Sequence, residues 1–261
     1  MFYSIKELVE QADLDYQGNV AELMIATEYE LTGRERDEVL RLMGRNLEVM
    51  KASVLLGLDE SKSRSGLTGG DAAKLDHYIQ SGKTLSDYTV LTAAKNAIAV
   101  NEHNAKMGLV CATPTAGSAG CLPAVLTSAI EKLGLSEEEQ LNFLLAAGAF
   151  GLVIANNASI SGAEGGCQAE VGSASAMSAA ASATIAFLFI SLLLSSTAET
   201  LSTSVSKIKP KSVFASRTFE HMDSIASLSS GLGMWFGKLP SGSRNCELLT
   251  SAPSGDKTFS A

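Results

Sequence analysis

Cys167 is the side chain best suited to chemistry by its surroundings. It sits in Asn156-Asn157-Ala-Ser-Ile-Ser-Gly-Ala-Glu-Gly-Gly-Cys167-Gln168-Ala-Glu170, where Gly and Ser crowd around one thiol. Such a stretch puts many backbone N–H groups and little side-chain bulk near a sulfur. It suits a metal cluster held by the thiolate and an anionic substrate held by the N–H groups. On these residues alone, it suits a tight helix–helix turn better. Two other stretches share this character. Between Ser61 and Asp71 lie three Ser, one Thr, three Gly and Arg64, which can wrap an anion or form a surface linker with a solvated Arg. In Cys111-Ala-Thr-Pro-Thr-Ala-Gly-Ser-Ala-Gly120, the hydroxyls of Thr113, Thr115 and Ser118 stand beside Gly117 and Gly120. Those glycines permit close backbone approach. The segment suits a bound carboxylate or a helix–helix connection, and Pro114 disfavours helix at Thr113.

Helices are needed to hold these stretches. Ser4 with Glu7, and Asn19 with Glu22, are N-terminal capping patterns. They predict one helix from Ser4 to about residue 15 and another from Asn19 to Gly33, closed by that glycine. Val39, Leu42, Met43, Leu47, Met50 and Val54 fall at helical spacing and mark core positions of a third helix, 35–56. Asp71 is expected to cap a helix over 72–80. Residues 86–107 read as one long helix with Asn101, Glu102, His103 and Asn104 near its end. Asn101 and Asn104 share a face there, and His103 points elsewhere. Helices follow over 122–133 and 136–156, the second capped by Ser136, with Glu137, Glu138 and Glu139 as a solvated first turn. An apolar run (144–154) leads into the Cys167 loop, and a small-residue helical run (173–182) leads out. The fold class is mainly α, with Gly/Ser-rich loops as the site and no sizeable sheet.

Composition narrows the function. The 261-residue chain is 46% hydrophobic, enough for a proper core, and carries a net charge of −8. That charge excludes a nucleic-acid surface. It is uneven: −10 over 1–183 and +2 over 184–261. Cys111, Cys121, Cys167 and Cys246 show no disulfide-framework spacing, and the first two, ten positions apart, fit no zinc pattern. Cys111 and Cys121 read as small buried hydrophobes. The opening MFYSIKELVEQADLD reads as an amphipathic helix and not a signal peptide. The expectation is therefore a cytoplasmic protein with reduced thiols.

Taken together, SRSGLTGGD (63–71), NEHNAKMG (101–108), CATPTAGSAG (111–120) and AAGAFGLVIANNASISGAEGGCQAEVGSASAM (146–177) resemble the alpha chain of the bacterial iron–sulfur L-serine dehydratases. The resemblance covers about residues 1–183. It implies deamination of L-serine to pyruvate and ammonia by a four-iron four-sulfur cluster whose open iron acts as a Lewis acid. It implies that Cys167 is a cluster ligand and that a separate beta chain completes the active site. It also places Ser63, Arg64, Thr113, Thr115, Ser118, Asn156, Ser159 and Ser161 in loops that hold the substrate, and assigns no catalytic base. Glu164 and Glu170 flank Cys167 and are expected to cap helices or face water.

After about Ala183 the resemblance ends. The family continues to two further cluster cysteines, one in a Cys-Asp-Pro segment, and this chain contains no Cys-Asp-Pro. Seventeen of its last 78 residues are Ser, and Cys246 stands in an unrelated Ser-Arg-Asn-Cys-Glu context. Residues 184–261 are expected to form a disordered or irregular tail. A shifted reading frame is the expected origin; a replacement segment, or fusion to a membrane segment, would produce the same break. Of these, the membrane segment is the least expected, because the dense apolar run is shorter than a spanning helix needs. The alternative function is a truncated, cluster-free, inactive alpha chain that still binds the beta chain.

Overall fold

Side-chain caps set several of the helix starts. The computed structural model describes residues 2–201, with side chains as far as residue 186. Helix α1 (Ile5–Tyr16) starts where Ser4 Oγ accepts the Glu7 amide at 3.1 Å. The Glu7 carboxylate reaches past the cap to accept from the Tyr3 amide at 2.9 Å. Helix α2 (Val20–Thr32) starts where Asn19 Oδ1 accepts the Ala21 and Glu22 amides. It ends at Gly33, whose φ of 73° is open to glycine at little cost. Helices α3 (Arg36–Leu56) and α4 (Asp71–Gln80) follow, then α5 (Tyr88–Ala105), capped by Asp87, and α6 (Cys121–Leu133). Helix α7 (Glu137–Asn157) opens on a reciprocal capping box between Ser136 and Glu139. Helix α8 spans Gly162–Leu201. The described residues hold no strand, so the body is mainly α, as predicted.

Helix α7 is the centre of the bundle. Phe143, Leu144, Leu145, Ala146, Ala147, Ala149, Phe150, Leu152 and Val153 are all buried along it. It packs against α1, α2, α3, α6 and α8, which is why it is apolar all round rather than along one stripe. Burying Phe143 and Phe150 each contributes about 1.5–3 kcal/mol. Small residues bring α8 in close: a Cβ on Gly151 would lie 2.6 Å from Met177 Cε. Among the described residues, α7 alone is long and apolar enough to cross a membrane, and most of it is buried inside this fold. Of the core positions expected on α3, Val39, Leu47, Met50 and Val54 are buried, and Leu42 and Met43 are partly so.

The Cys167 stretch departs from expectation. Helix α8 begins at Gly162 instead of near 173, so the loop shrinks to 158–161. Ala163, Glu164, Gln168, Ala169 and Glu170 are good helix formers, and they outweigh the interspersed glycines. The one non-helical residue inside α8 is Gly166, at φ 71° and ψ 179°. The helix then runs past the expected boundary at 183–184 to Leu201, through the Ala- and Leu-rich run ATIAFLFISLLL. The rest of the expected tail, residues 202–261, lies outside the described residues.

Candidate functional site

The end of α5 holds two of the three Gly/Ser stretches. The first, 61–70, folds on itself. The Ser63 amide donates to the Thr68 carbonyl and the Gly66 amide to the Ser63 carbonyl, both at 2.8 Å. The Lys62 ammonium donates to the Gly69 carbonyl. Ser63 is buried; its hydroxyl accepts the Thr68 amide at 3.3 Å and pairs with the Ser65 hydroxyl at 3.1 Å. Gly69 has φ 120°, and a Cβ there would lie 2.2 Å from the Ser61 carbonyl oxygen, so only glycine fits. Arg64 is exposed and makes no ion pair among the described residues.

Two contacts pin this loop to α5. Lys106 pairs with Asp59 at its start. At its end, Glu102 accepts the Gly70 amide at 3.0 Å and the Asp71 amide at 2.8 Å. Glu102 is 5% exposed, so a buried carboxylate from a distant helix caps α4. This corrects the expectation for Asp71. The capping position is Gly70, at φ 82° and without a side chain. Asp71 is exposed and pairs with Lys74 at 2.7 Å, which holds its carboxyl below the usual carboxylate range. The role of Glu102 was missed in the sequence. The available signal was its register with Thr92, Asn96 and Ala99, a carboxylate on the buried stripe of α5.

The second stretch, 111–120, carries a cis Thr113–Pro114 bond and one 3-10 turn, Ala116–Ser118. Ser118, 1% exposed, shapes it from inside. Its hydroxyl donates to the Thr113 carbonyl at 3.0 Å, lies 3.1 Å from the Thr115 hydroxyl, and accepts the Thr115 amide at 3.4 Å. The Thr113 hydroxyl is buried without a hydrogen-bond partner among the described residues. Helix α5 holds this loop too. Asn104 Nδ2 donates to the Ala116 carbonyl at 3.0 Å. A Cβ on Gly120 would fall 2.5 Å from the Ala97 carbonyl oxygen. The His103 ring lies over Gly108 and leaves no room for a Cβ there.

In the third stretch, several polar side chains serve the backbone. Asn156 Nδ2 donates to the Phe2 carbonyl at 2.9 Å. The Ser159 hydroxyl donates to Glu164 at 2.8 Å. Ser161 Oγ accepts the Ala163 amide at 3.2 Å. Cys167 is exposed and is the first helical residue after the Gly166 break. The second and third stretches meet at Glu170. Its carboxylate lies 2.6 Å from where a Cβ of Gly117 would be, and 2.7 Å from that of Gly162. Glu170 is half-buried, against the expectation that it faces water.

The other described thiols have partners of their own. Cys111 is half-buried, and its Sγ donates to the Asn46 carbonyl at 3.5 Å; burial pushes its pKa up to about 11. Burial also raises the Cys121 thiol, partly offset by a hydrogen bond with Ser175. Among the described residues, no three His, Cys, Asp or Glu side chains converge as a metal site. A cubane cluster needs three or more protein thiolates, so the described residues do not by themselves fit one.

A family model described as the serine dehydratase alpha chain matches residues 15–187. The chain belongs to the serine dehydratase alpha chain family. It is 54% identical over 181 residues to a probable L-serine dehydratase, alpha chain, from Bacillus subtilis (strain 168), covering 69% of this chain and 60% of that one. A protein of the same description from Latilactobacillus sakei is 62% identical over 92 residues, covering 35% of this chain and 44% of its own length. The L-serine dehydratase, alpha chain, of Peptoniphilus asaccharolyticus is 36% identical over 163 residues, covering 62% and 56%. The chain thus spans between 44% and 60% of the length of these relatives. The matched range contains all three Gly/Ser stretches and α5, the helix that joins two of them.

Proposed function

We propose that this chain supplies the alpha-chain body, residues 1–183, of an L-serine ammonia-lyase that works with a beta chain. The observation that carries this reading is the family match over 15–187, which takes in every Gly/Ser stretch. The reaction removes the α proton and the β hydroxyl of L-serine, releasing water and leaving aminoacrylate. Tautomerisation to the imine and hydrolysis then give pyruvate and ammonia. Among the described residues the Thr113 hydroxyl has no hydrogen-bond partner and the Arg64 guanidinium no ion pair, so these are the groups here best able to meet a carboxylate. Ser63, Thr115, Ser118, Asn156, Ser159 and Ser161 act through loop shape, since their polar atoms are taken up by neighbours.

The four-iron four-sulfur cluster is a finer reading. Cys167 is the described thiol free to hold iron, being exposed at a helix start. Further thiolates must come from elsewhere in the assembled enzyme. A cytoplasmic setting, where thiols stay reduced, suits the free state of Cys111, Cys121 and Cys167. The donor set also favours a second reading: a cluster-free chain that binds the beta chain without catalysis. One experiment separates them. The chain is purified anaerobically with the beta chain, reconstituted with iron and sulfide, and assayed for visible absorbance and pyruvate. Absorbance and turnover that both vanish in Cys167→Ser support the lyase. A colourless, inactive complex supports the second reading.

A further inference from the structure

Six carboxylates in the described part of the chain are buried or half-buried: Glu22, Glu28, Asp76, Glu102, Glu139 and Glu170. Five have partners. Glu22 pairs with Arg36, Glu28 with Arg34 and Asp76 with Lys95. Glu102 takes two backbone amides, and Glu139 takes the Ser136 amide and hydroxyl. Glu170 alone has neither hydrogen bond nor ion pair among the described residues. A carboxylate held partly out of water without a partner is costly, and a cation offsets that cost.

We propose that Glu170 receives the ammonium group of the substrate. The assignment rests on the L-serine reading above. Glu170 lies on the bare backbone of Gly117 and Gly162: a Cβ on either would sit 2.6 or 2.7 Å from its carboxylate. Two glycines from separate stretches therefore border the same carboxylate. Cys167 is one turn away on the same helical face, three positions earlier. An α-amino acid presents a carboxylate, a hydroxyl and an ammonium. The Thr113 loop offers donors for the first, and Glu170 is the acceptor of opposite charge for the last. A hard metal cation would need about six oxygen ligands, and no such group converges here among the described residues. An ammonium has three N–H donors and is satisfied by one carboxylate and two further acceptors.

The test is equilibrium binding by titration calorimetry, using the full chain with its beta chain. The probes are L-serine and L-glycerate, which keeps the carboxylate and hydroxyl and lacks the ammonium. Glu170→Gln keeps the shape over both glycines and removes the charge; Glu170→Asp keeps the charge and shortens the reach. Losing a charged hydrogen bond predicts that Glu170→Gln weakens L-serine at least about tenfold. L-Glycerate should bind the Gln variant as well as the wild type, or better, and Glu170→Asp should hold L-serine more tightly than Glu170→Gln does. A packing role inverts that order, with Gln near wild type, Asp worse, and both ligands affected alike; that result overturns the assignment. So does an unchanged L-serine affinity in both variants, the outcome expected if a lysine of the beta chain occupies the carboxylate. If the wild-type complex neither binds nor converts L-serine, the lyase reading itself fails and takes this assignment with it.

Discussion

Glu102 offers the sharpest test of how the two loops are held. Replacing it by Gln keeps the shape but turns one of its two acceptor oxygens into an NH2 group facing a backbone N–H. The Gly70 and Asp71 amides donate to no other partner among the described residues. A hydrogen bond to a charged group contributes about 1.5–3 kcal/mol, and a buried donor left unpaired costs about 1–3 kcal/mol. The negative charge at the N-terminus of α4 adds about 0.3–1 kcal/mol. Glu102→Gln keeps one of the two bonds, so we expect it to destabilise the fold by about 2–3 kcal/mol; Glu102→Ala, losing both, costs more. For a body of this size, that lowers the melting temperature by roughly 4–10 °C. Urea unfolding followed by circular dichroism gives the free energy, with the m-value as a check on two-state behaviour. Amide hydrogen exchange should show Gly70 and Asp71 losing protection while α7 keeps it. If Glu102→Gln stays within about 0.5 kcal/mol of wild type and both amides stay protected, the capping role is wrong.

Other outcomes follow from the same geometry. Gly57→Ala should destabilise by about 3 kcal/mol or more in denaturant unfolding, because its Cβ would lie 1.9 Å from the Ala99 carbonyl oxygen, backbone against backbone. Gly44→Ala, inside α3 with nothing within 4 Å, should instead stabilise by about 0.5–1 kcal/mol in the same assay. Peptide mapping after brief alkylation at pH 8 should find Cys167 modified at least about tenfold faster than Cys111, whose thiol burial pushes up to about 11; equal rates contradict the placement of both. The Asp59 carboxyl is held below its ordinary 3.8, chiefly by the Lys106 hydrogen bond. Its contribution is therefore present above pH 3.8 and lost as pH falls through the lower folded value. Asp59→Asn should flatten the acid limb of stability below about pH 4 and lower stability at neutral pH by the same modest amount, measured by urea unfolding across pH.

Much of this protein is legible along the chain because its signals are local. Ser4, Asn19 and Ser136 each bond an amide within three residues, so a linear reading finds the starts of α1, α2 and α7. The apolar run from Phe143 to Val153 marks a buried helix, since apolar side chains on every face must be covered by neighbours. The long, ordered segments that carry the family resemblance are likewise a property of sequence. Other features depend on residues far apart in the chain. Glu102 caps α4 from 31 residues away, and no local rule links a helical Glu to a distant glycine. The extent of α8 was misjudged because Gly and Ser density suggests a loop, while packing against α6 and α7 makes the helix the lower-energy state. The position of Glu170 over Gly117 and Gly162 was likewise invisible, because it arises only once α8 lies against the second loop. Sequence alone determined the helical class, through capping patterns and apolar periodicity, the three candidate stretches, through their Gly and Ser content, and the family, through the ordered segments that carry the resemblance. The tertiary structure alone decided which polar groups are used up inside the loops and which half-buried carboxylate lacks a partner among the described residues, because burial and pairing belong to contacts between elements and not to any one of them.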